Sequence, residues 1–277
     1  MDKHIPQNAI YEILSGLKGT IGLFIELLDT GEKFEINPDL VFPSASVIKI
    51  PMLALLLKDI REGKADWNAP RTVAANNRVG GTGILAYLDQ SYAPSLKTLA
   101  FLMITLSDNT ATNEIMDLIG IERFNEFWKA QGYEHISLGR KMLDFEAIKQ
   151  GRNNYMCAGE AGRLLSRIAR GECGHPDDCE TILDFMAHQQ CINKLPSLLP
   201  AIPSWASAEE RAHLKPGTVL VANKTGDLTG IQHDVGVFTL PDGRRYVIAM
   251  FTGGLESDRC GIEAIARVSR AVYDAMK

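Results

Sequence analysis

The sequence predicts an α/β (α+β) fold, in which an antiparallel five-stranded sheet is flanked by N- and C-terminal helices and interrupted by a large all-helical insertion. Three observations predict it. β-rich runs occur near the start and in the last quarter, helical spacing fills the middle, and turn residues separate neighbouring strands at each end. Strands joined by short turns pair in antiparallel fashion, so both groups are expected to share one sheet.

The predicted strands are short β-rich runs at residues 21–28, 33–36, 218–224, 231–240 and 245–251. The turn Asp29-Thr30-Gly31 joins the first two, and Pro241-Asp242-Gly243 joins the last two. Helices are predicted where apolar residues recur three or four positions apart, at residues 9–17, 47–60, 98–106, 113–119, 159–169 and 262–276. Helical spacing continues through the middle of the chain to about residue 186.

This pattern divides the chain into two predicted domains. A sheet domain comprises residues 1–45 and 204–277, a helical domain comprises residues 46–203, and the functional site is expected at their junction. A chain of 277 residues can bury one large core or two closely packed ones. The proline-rich stretch at 195–216 predicts a long surface connection.

Composition excludes several classes of protein. Hydrophobic residues make up 45% of the chain and charged residues 23%, as in ordinary globular proteins. The formal charge of -5 is not gathered in a block, so neither nucleic-acid nor membrane-surface binding is indicated. No run approaches the ~20 apolar residues of a membrane span. The N-terminus lacks the pattern of a signal peptide, so a cytoplasmic protein is expected, or a periplasmic or secreted one if Met1 replaces a leader.

The cysteines leave three alternatives open. There are five, at Cys157, Cys173, Cys179, Cys191 and Cys260. A metal site could draw on Cys173, Cys179, His188 and Cys191, but these spacings match no usual zinc pattern. A Cys173–Cys179 bridge is the second alternative, and plain thiols are the favoured one. No metal is therefore predicted.

The string Ser46-Val47-Ile48-Lys49 lies where a coil enters an apolar helix. A serine in this place is often only a helix N-cap. Lys49, however, is three residues further on and shares a helix face with Ser46. A lysine at the start of a helix that is apolar nearly all round is costly unless it is paired or has a function.

These two residues together predict a nucleophile, Ser46, and a base, Lys49. To accept the hydroxyl proton the amine must be neutral near pH 7, at a cost of about 4 kcal/mol. Burial and a nearby second cation both favour the neutral form. Lys224 is the expected second cation.

The string Ser107-Asp108-Asn109 follows the predicted helix at 98–106. Taken alone, it indicates a turn and a cap for the next helix. Beside the other motifs, Ser107 is predicted to carry a proton to a leaving nitrogen, and Asn109 to bind the carbonyl group of a substrate. Asp108 is expected to brace the loop.

The string Lys224-Thr225-Gly226 ends a predicted strand, where lysine and threonine are also common on solvated edges. In the functional interpretation Lys224 and Thr225 hold a carboxylate, and Gly226 leaves room for a ligand lying along the strand. The backbone N–H groups of Ser46 and Asp227 are predicted to form an oxyanion hole, in which one donor is typically worth ~3–4 kcal/mol.

The three strings, in this order, are the signature of class A β-lactamases and penicillin-binding proteins. The chain resembles the class A β-lactamase family, in its related serine-hydrolase branch, over nearly its whole length, including the string at residues 104–113. This resemblance implies a β-lactamase/transpeptidase-like fold with Ser46 at the domain junction, a covalent acyl-enzyme and no cofactor. The expected partner is a small-molecule substrate with a carboxylate, and the protein is expected to be a monomer.

Three functions are compatible with this resemblance. β-Lactam hydrolysis is the first. A D-Ala-D-Ala-type peptidase, amidase or esterase of the same fold is the second, and a slowly deacylating penicillin-binding module is the third. All three begin with acylation of Ser46.

The chain departs from the family in one loop. The family motif R-x-E-x-x-L-N supplies a Glu and an Asn that hold the deacylating water, but counting from Arg140 places Met142 at the Glu position and Glu146 at the Asn position. We predict that Glu146 positions or deprotonates this water, with Asp144 as second choice. A merely solvated loop carboxylate is an equal alternative.

The pair His233-Asp234 superficially suggests a Ser-His-Asp triad. Adjacent residues on a strand point to opposite faces of the sheet. The pair is therefore not expected to act as a relay.

Overall fold

A five-stranded antiparallel sheet forms the centre of the structure, a computed structural model that describes residues 3–277. The strands are β1 Thr20–Leu27, β2 Lys33–Ile36, β3 Val41–Pro43, β4 Tyr155–Cys157, β5 Leu220–Leu228, β6 Ile231–Thr239 and β7 Arg245–Gly253. The order in the main sheet is β2-β1-β7-β6-β5. Strands from the two ends of the chain meet where β1 pairs with β7, so the prediction of one sheet built from both ends is confirmed.

Helices surround this sheet and fill the middle of the chain. They are α1 Gln7–Ser15, α2 Lys49–Arg61, α3 Leu96–Thr105, α4 Asn109–Ile119, α5 Ile121–Ala130, α6 Phe145–Lys149, α7 Ala158–Ala169, α8 Pro176–Ala187, α9 Ala208–Ala212 and α10 Asp258–Met276. The helix predicted at 47–60 begins as a 3-10 turn at Ala45–Ile48 and continues as α2. The fold class is therefore as predicted.

Both faces of the sheet are covered. Leu23 and Ile25 of β1 pack in one core with α1 and α10, whereas Phe24 between them packs in a second core with the helices of the middle of the chain. Because neither face meets water, the central strands have nearly continuous buried runs instead of a strict alternation.

The two predicted domains are joined by a small ribbon as well as by the larger core. Strand β4, inside the helical stretch, pairs with β3 at the end of the N-terminal segment. Pro43, which ends β3, lies three residues before Ser46. The ribbon therefore holds the chain at the point where it enters the turn that carries Ser46. The boundaries at 45/46 and 203/204 stay a prediction.

The stretch at 195–216 is mostly exposed, with Trp205 80% accessible, but it is more than a surface connection. Leu195 is fully buried in the core that the sheet forms with α1 and α10.

Within residues 3–277, no helix is long and apolar enough to cross a bilayer. The five cysteines are free thiols, and the Cys179 thiol donates to the carbonyl of Cys173 at 3.3 Å.

Candidate active site

Ser46 lies in the 3-10 turn that leads into α2. The cap positions at this point are Ser44 and Ile48, so Ser46 is not a helix cap. The preceding residue, Ala45, has φ +46°, a left-handed conformation that costs a residue with a side chain roughly 1–2 kcal/mol. Such strain is found preferentially at functional sites. It presents Ser46, which is half-buried, at a sharp change of direction in the chain.

Lys49 is fully buried, and its amine lies against the turn formed by Ser107 and Asn109. The Lys49 Nζ donates to the Ser107 carbonyl at 2.9 Å, to the Ser107 Oγ at 3.1 Å and to the Asn109 Oδ1 at 3.1 Å. These acceptors use all three N–H groups of a protonated amine. Among residues 3–277, no hydrogen bond joins this amine to Ser46. The spacing of the motif predicts a contact between Lys49 and Ser46, whereas the amine is hydrogen-bonded to Ser107 and Asn109.

The same surroundings favour the neutral amine. Burial holds the pKa of Lys49 well below its ordinary value, and the nearby charge of Lys224 lowers it further. A neutral amine has two N–H groups and one lone pair, so one of the three present hydrogen bonds would be lost. The lone pair that replaces that N–H is what a base needs to accept the Ser46 proton.

Ser107 is the point at which the two lysine amines meet. Its Oγ accepts hydrogen bonds from the Nζ atoms of Lys49 and Lys224, each at 3.1 Å. Both lone pairs of the hydroxyl are then occupied, and its proton is free to be donated elsewhere. This geometry suits a group that passes a proton to a leaving atom.

Lys224 is also fully buried, and its Nζ donates to the Thr225 carbonyl at 3.0 Å. Burial lowers the pKa of Lys224 to about 8, so the amine is largely protonated at neutral pH. One N–H of that ammonium group remains after its two hydrogen bonds. It is available to a substrate carboxylate.

Asp108 braces the loop, as expected from its place in the motif. Its Oδ1 accepts from the N–H of Ala111 at 2.9 Å and so caps α4. Its Oδ2 accepts from the N–H groups of Ile84 and Leu85 at 2.7 and 2.8 Å. The capping and functional interpretations of this motif are therefore compatible, since different residues serve each.

Asn109 is nearly buried, and its amide is mostly engaged within the protein. The Nδ2 donates to the Gly80 carbonyl at 3.1 Å, while the Oδ1 accepts from Lys49. One N–H of the amide remains for a substrate carbonyl, so its binding role stays a prediction.

A glycine-rich segment that the motif search missed supports this turn. Gly81 has φ +79°, and a Cβ there would lie 2.8 Å from the Asn109 Nδ2. A Cβ on Gly83 would lie 2.3 Å from the side chain of Asp108. Between them, the Thr82 hydroxyl donates to the Ser107 carbonyl at 2.6 Å. The run Gly80-Gly81-Thr82-Gly83 was the available signal, because clustered glycines indicate a close backbone approach.

Gly226 lies on the edge strand β5, directly against the turn of Ser46. A Cβ at this position would lie 3.1 Å from the Ser44 carbonyl and 3.1 Å from the Ala45 Cβ. The space that Gly226 leaves is therefore used by the protein's own turn, and a role towards a ligand stays a prediction. Thr225 beside it is buried. The Asp227 side chain is 54% exposed and pairs with Lys194 at 2.7 Å.

His233 and Asp234 have separate partners. The His233 Nε2 donates to the Pro43 carbonyl at 2.9 Å and the Nδ1 accepts from the Thr252 N–H at 3.2 Å, which assigns a neutral ring. Burial lowers the pKa of His233 to about 4. The residue therefore anchors the segment that leads to Ser46 and performs no proton transfer.

Asp234 is fully buried as well. Its carboxylate accepts from the Asn223 Nδ2 at 3.0 Å and from the N–H of Leu195 at 3.0 Å. Burial raises its pKa to about 6. Asp234 thus ties the loop around Leu195 to the sheet.

The loop with the altered family motif does not bring Glu146 to the lysine cluster. The Glu146 side chain is 75% exposed and pairs with Lys149 at 2.6 Å. Asp144 caps α6 by accepting from the N–H of Ala147 at 2.9 Å. Glu146 follows the start of a surface helix, so its side chain points to solvent. The geometry favours the solvated carboxylate over the predicted role in water activation, which stays untested.

Met142, at the family's Glu position, is nearly buried and belongs to the helical core. Its N–H donates to the Asn113 Oδ1 at 2.8 Å, and the Asn113 Nδ2 donates to its carbonyl at 3.3 Å. The loop is thereby clamped to α4. An apolar side chain therefore lies at the position that counting from Arg140 assigns to the family's Glu.

Lys194 is a residue that no sequence motif indicates. It is a loop lysine with no motif around it, yet it is fully buried, and its amine contacts backbone carbonyls of both β5 and β6. Nothing in the local sequence indicates this burial.

Within residues 3–277, no group of three or more His, Cys, Asp and Glu side chains is arranged to hold a metal ion.

The family model of the beta-lactamase enzyme family matches residues 6–276. The chain belongs to this family. A β-lactamase of Bacteroides uniformis is 25% identical over 98% of this chain and 91% of its own length.

Solved structures of β-lactamase fold resemble the chain along its whole length. A β-lactamase of Sphaerobacter thermophilus is 26% identical, with a TM-score of 0.82 over 97% of this chain and 95% of that one. PBP-A is 29% identical, with a TM-score of 0.83 over 100% of this chain and 98% of that one. A variant of PBP-A, equally similar with a TM-score of 0.82, is an acyl-enzyme complex with penicillin G. The β-lactamase/transpeptidase-like fold is thereby confirmed.

Proposed function

We propose that the protein is a serine hydrolase that opens β-lactams by forming an ester with Ser46. The observation that carries this proposal is the convergence of two buried amines, those of Lys49 and Lys224, on the Ser107 hydroxyl. A buried pair of lysines is costly unless the amines are paired or have a function. Lys49 begins α2 directly after the turn of Ser46, and Lys224 lies on β5, which packs against that turn. Membership of the β-lactamase family and the acylated PBP-A variant support the same reaction.

The proposed acylation uses these groups in turn. The Ser46 hydroxyl loses its proton to neutral Lys49 as the Oγ attacks the lactam carbonyl. The oxyanion that forms is held by the backbone N–H groups of Ser46 and Asp227. When the C–N bond breaks, Ser107 gives its proton to the nitrogen and is reprotonated by a neighbouring ammonium group. Lys224 binds the carboxylate of the substrate throughout.

Deacylation is the weaker half of the reaction. A water molecule must attack the ester, and an efficient attack needs a base within hydrogen-bond reach. Met142 occupies the family's position for that base, and the carboxylate of Glu146 faces solvent. We therefore expect slow release of the acyl group.

This slow release favours a second candidate within the same chemistry. A D-Ala-D-Ala-type peptide or an ester would acylate Ser46 through the same groups, and a penicillin would then act as a slowly released inhibitor. A small-molecule substrate with a carboxylate fits both candidates, because Lys224 offers the same cation to either.

One experiment tests the proposal. The protein is incubated with penicillin G and with a chromogenic cephalosporin, and adduct mass and product are followed over time. A covalent adduct on Ser46 with measurable product supports β-lactam hydrolysis, and a stable adduct without product favours the second candidate. Ser46→Ala should remove both signals by at least about a thousandfold, since the nucleophile is lost.

A matched control is Ser15→Ala, an exposed serine on α1. Its adduct and product should equal those of the unaltered protein. Hydrolysis that survives in Ser46→Ala at the original rate would end the proposal.

A further inference from the structure

Lys194 is a fully buried lysine whose amine has three oxygen partners near the end of β5. The Nζ donates to the Gly226 carbonyl at 3.2 Å, the Asp227 Oδ1 at 2.7 Å and the His233 carbonyl at 3.0 Å. These contacts use all three N–H groups of the ammonium. A buried ammonium group whose three N–H groups are all bonded restrains the position of each acceptor, because moving any acceptor leaves a charged donor unpaired.

The first partner orients a neighbouring N–H group. The Gly226–Asp227 peptide is trans, and a planar trans peptide points its C=O and its N–H in opposite directions. Lys194 holds the Gly226 carbonyl on the side of β6, where the His233 carbonyl also lies. The Asp227 N–H therefore points towards the free edge of β5. The turn with Ser46 packs on the face of β5 at the preceding residue, Gly226, so this N–H lies next to that turn.

The second partner, the Asp227 carboxylate, carries a negative charge close to the predicted oxyanion hole. The Asp227 carboxylate belongs to the same residue as the N–H that is predicted to bind the oxyanion. An anion so close would disfavour the negative charge that develops on the substrate oxygen. The Lys194 ammonium, 2.7 Å away, compensates it.

We infer that Lys194 is a positioning residue for acylation, which aims the Asp227 N–H at the substrate oxygen and compensates the Asp227 carboxylate. The inference rests on the proposed function, since it assigns the oxyanion hole to the acylation of Ser46. Lys194 touches neither the substrate nor the reacting atoms. Its effect is expected on the rate of the chemical step and not on the binding of substrate.

The test measures the acylation rate constant and the dissociation constant of the pre-covalent complex separately, by rapid mixing with penicillin G. Lys194→Met, which keeps the length of the side chain but removes the ammonium, should lower the rate constant at least about tenfold and change the dissociation constant less than about threefold. Lys194→Arg, which keeps the charge, should recover part of the rate.

Asp227→Asn provides a second variant, at a side chain that is 54% exposed. The amide keeps an oxygen that can accept from the Lys194 ammonium, and the melting temperature verifies that the variant is folded. The substitution removes the carboxylate and leaves the ammonium beside the oxyanion, so acylation should become faster by about two- to tenfold. A purely structural ion pair would give no acceleration. An unchanged or slower rate in Asp227→Asn overturns the charge argument, and an unchanged rate in Lys194→Met overturns the inference as a whole.

Arg123→Met is the matched control, because Arg123 pairs with the buried carboxylate of Asp59 at the far part of α2. It should lower the melting temperature while the acylation rate constant stays within about twofold. A tenfold lower acylation rate constant in this control would assign the effect of Lys194→Met to general destabilisation.

A fluorophosphonate separates this inference from the proposed function. The Ser46 Oγ forms a bond to phosphorus, the P–F bond breaks, fluoride leaves, and the hydroxyl proton passes to Lys49. The tetrahedral adduct places an oxygen in the same hole without any β-lactam. Reaction with the fluorophosphonate but not with penicillin G would overturn the proposed function alone, and the variants would then be compared with this reagent. Reaction with neither would overturn both.

Discussion

The two sides of the site use their polar groups in opposite ways. On one side, Lys49, Ser107 and Lys224 are buried and joined by hydrogen bonds to one another. On the other side, Met142 is apolar and the Glu146 carboxylate pairs with a surface lysine. In the proposed function, formation of the acyl-enzyme depends on the first side and its hydrolysis on the second. The difference teaches that groups suited to acylation can be assembled in the core while the opposite side offers no buried carboxylate at residue 142 or 146.

The largest effect is expected from placing a carboxylate at residue 142, the position that corresponds by count to the family's Glu. Met142→Glu should shorten the lifetime of the penicillin adduct at least about tenfold, because general base catalysis typically contributes about 10²–10⁴. Its nearly buried position raises the pKa of a carboxyl group, which suits a base at neutral pH. The lifetime is measured by mass spectrometry after removal of free penicillin.

Met142→Gln is the matched control, since it has nearly the same shape and no charge. It should leave the adduct as long-lived as in the unaltered protein. If both variants release the acyl group equally fast, loosening of the loop and not a base is responsible.

The pH dependence of substrate binding tests the role of Lys224 on the buried side of the site. Lys224 is a cation below pH about 8 and neutral above it, because burial lowers its pKa to about 8. Binding of a substrate carboxylate should therefore weaken as pH rises through this value, by about tenfold between pH 7 and pH 9. The dissociation constant of the pre-covalent complex is measured across this range.

Lys224→Arg should abolish this alkaline loss, because a guanidinium group stays charged at every pH tested. Melting temperatures across the same range verify that the protein remains folded. Binding that is independent of pH in the unaltered protein would contradict the role of Lys224 as the cation for the carboxylate.

The smallest effect is expected at Glu146. Its carboxylate is 75% exposed and paired with Lys149, so Glu146→Gln should change turnover and adduct lifetime by less than about twofold. The measurement is the time course of adduct and product with a chromogenic cephalosporin. A tenfold accumulation of adduct would instead support the catalytic role that the sequence predicts for Glu146.

Several features of this molecule could be predicted because their causes are local. The order of strands and helices, the turn Pro241-Asp242-Gly243 and the apolar run of α2 depend on residues close in sequence, and they are present as expected. One boundary differs, because β5 continues to Leu228 beyond the predicted end at residue 224. The spacing of Ser46 and Lys49 likewise places both residues in one short segment. Local patterns are reliable here because backbone sterics and burial of one face act over a few residues.

Other features depend on contacts that the sequence does not show. A count along the loop predicts that Glu146 acts at the site, and it cannot show that the side chain lies on a surface helix and pairs with Lys149. The catalytic role of Glu146 stays a prediction. The spacing of Ser46 and Lys49 also could not show that the amine prefers the acceptors of Ser107 and Asn109. Both depend on which distant segments pack together.

The sequence by itself determined the order of the elements, the sheet drawn from both ends and the three short strings that carry the chemistry. Only the tertiary structure decided that Lys49 and Lys224 share Ser107, that Met142 is clamped by Asn113, and that the buried Lys194 pairs with the Asp227 carboxylate. The physical reason is range. Helices and turns form from interactions among neighbouring residues, whereas burial, pKa and the pairing of charges are set by residues brought together from distant parts of the chain.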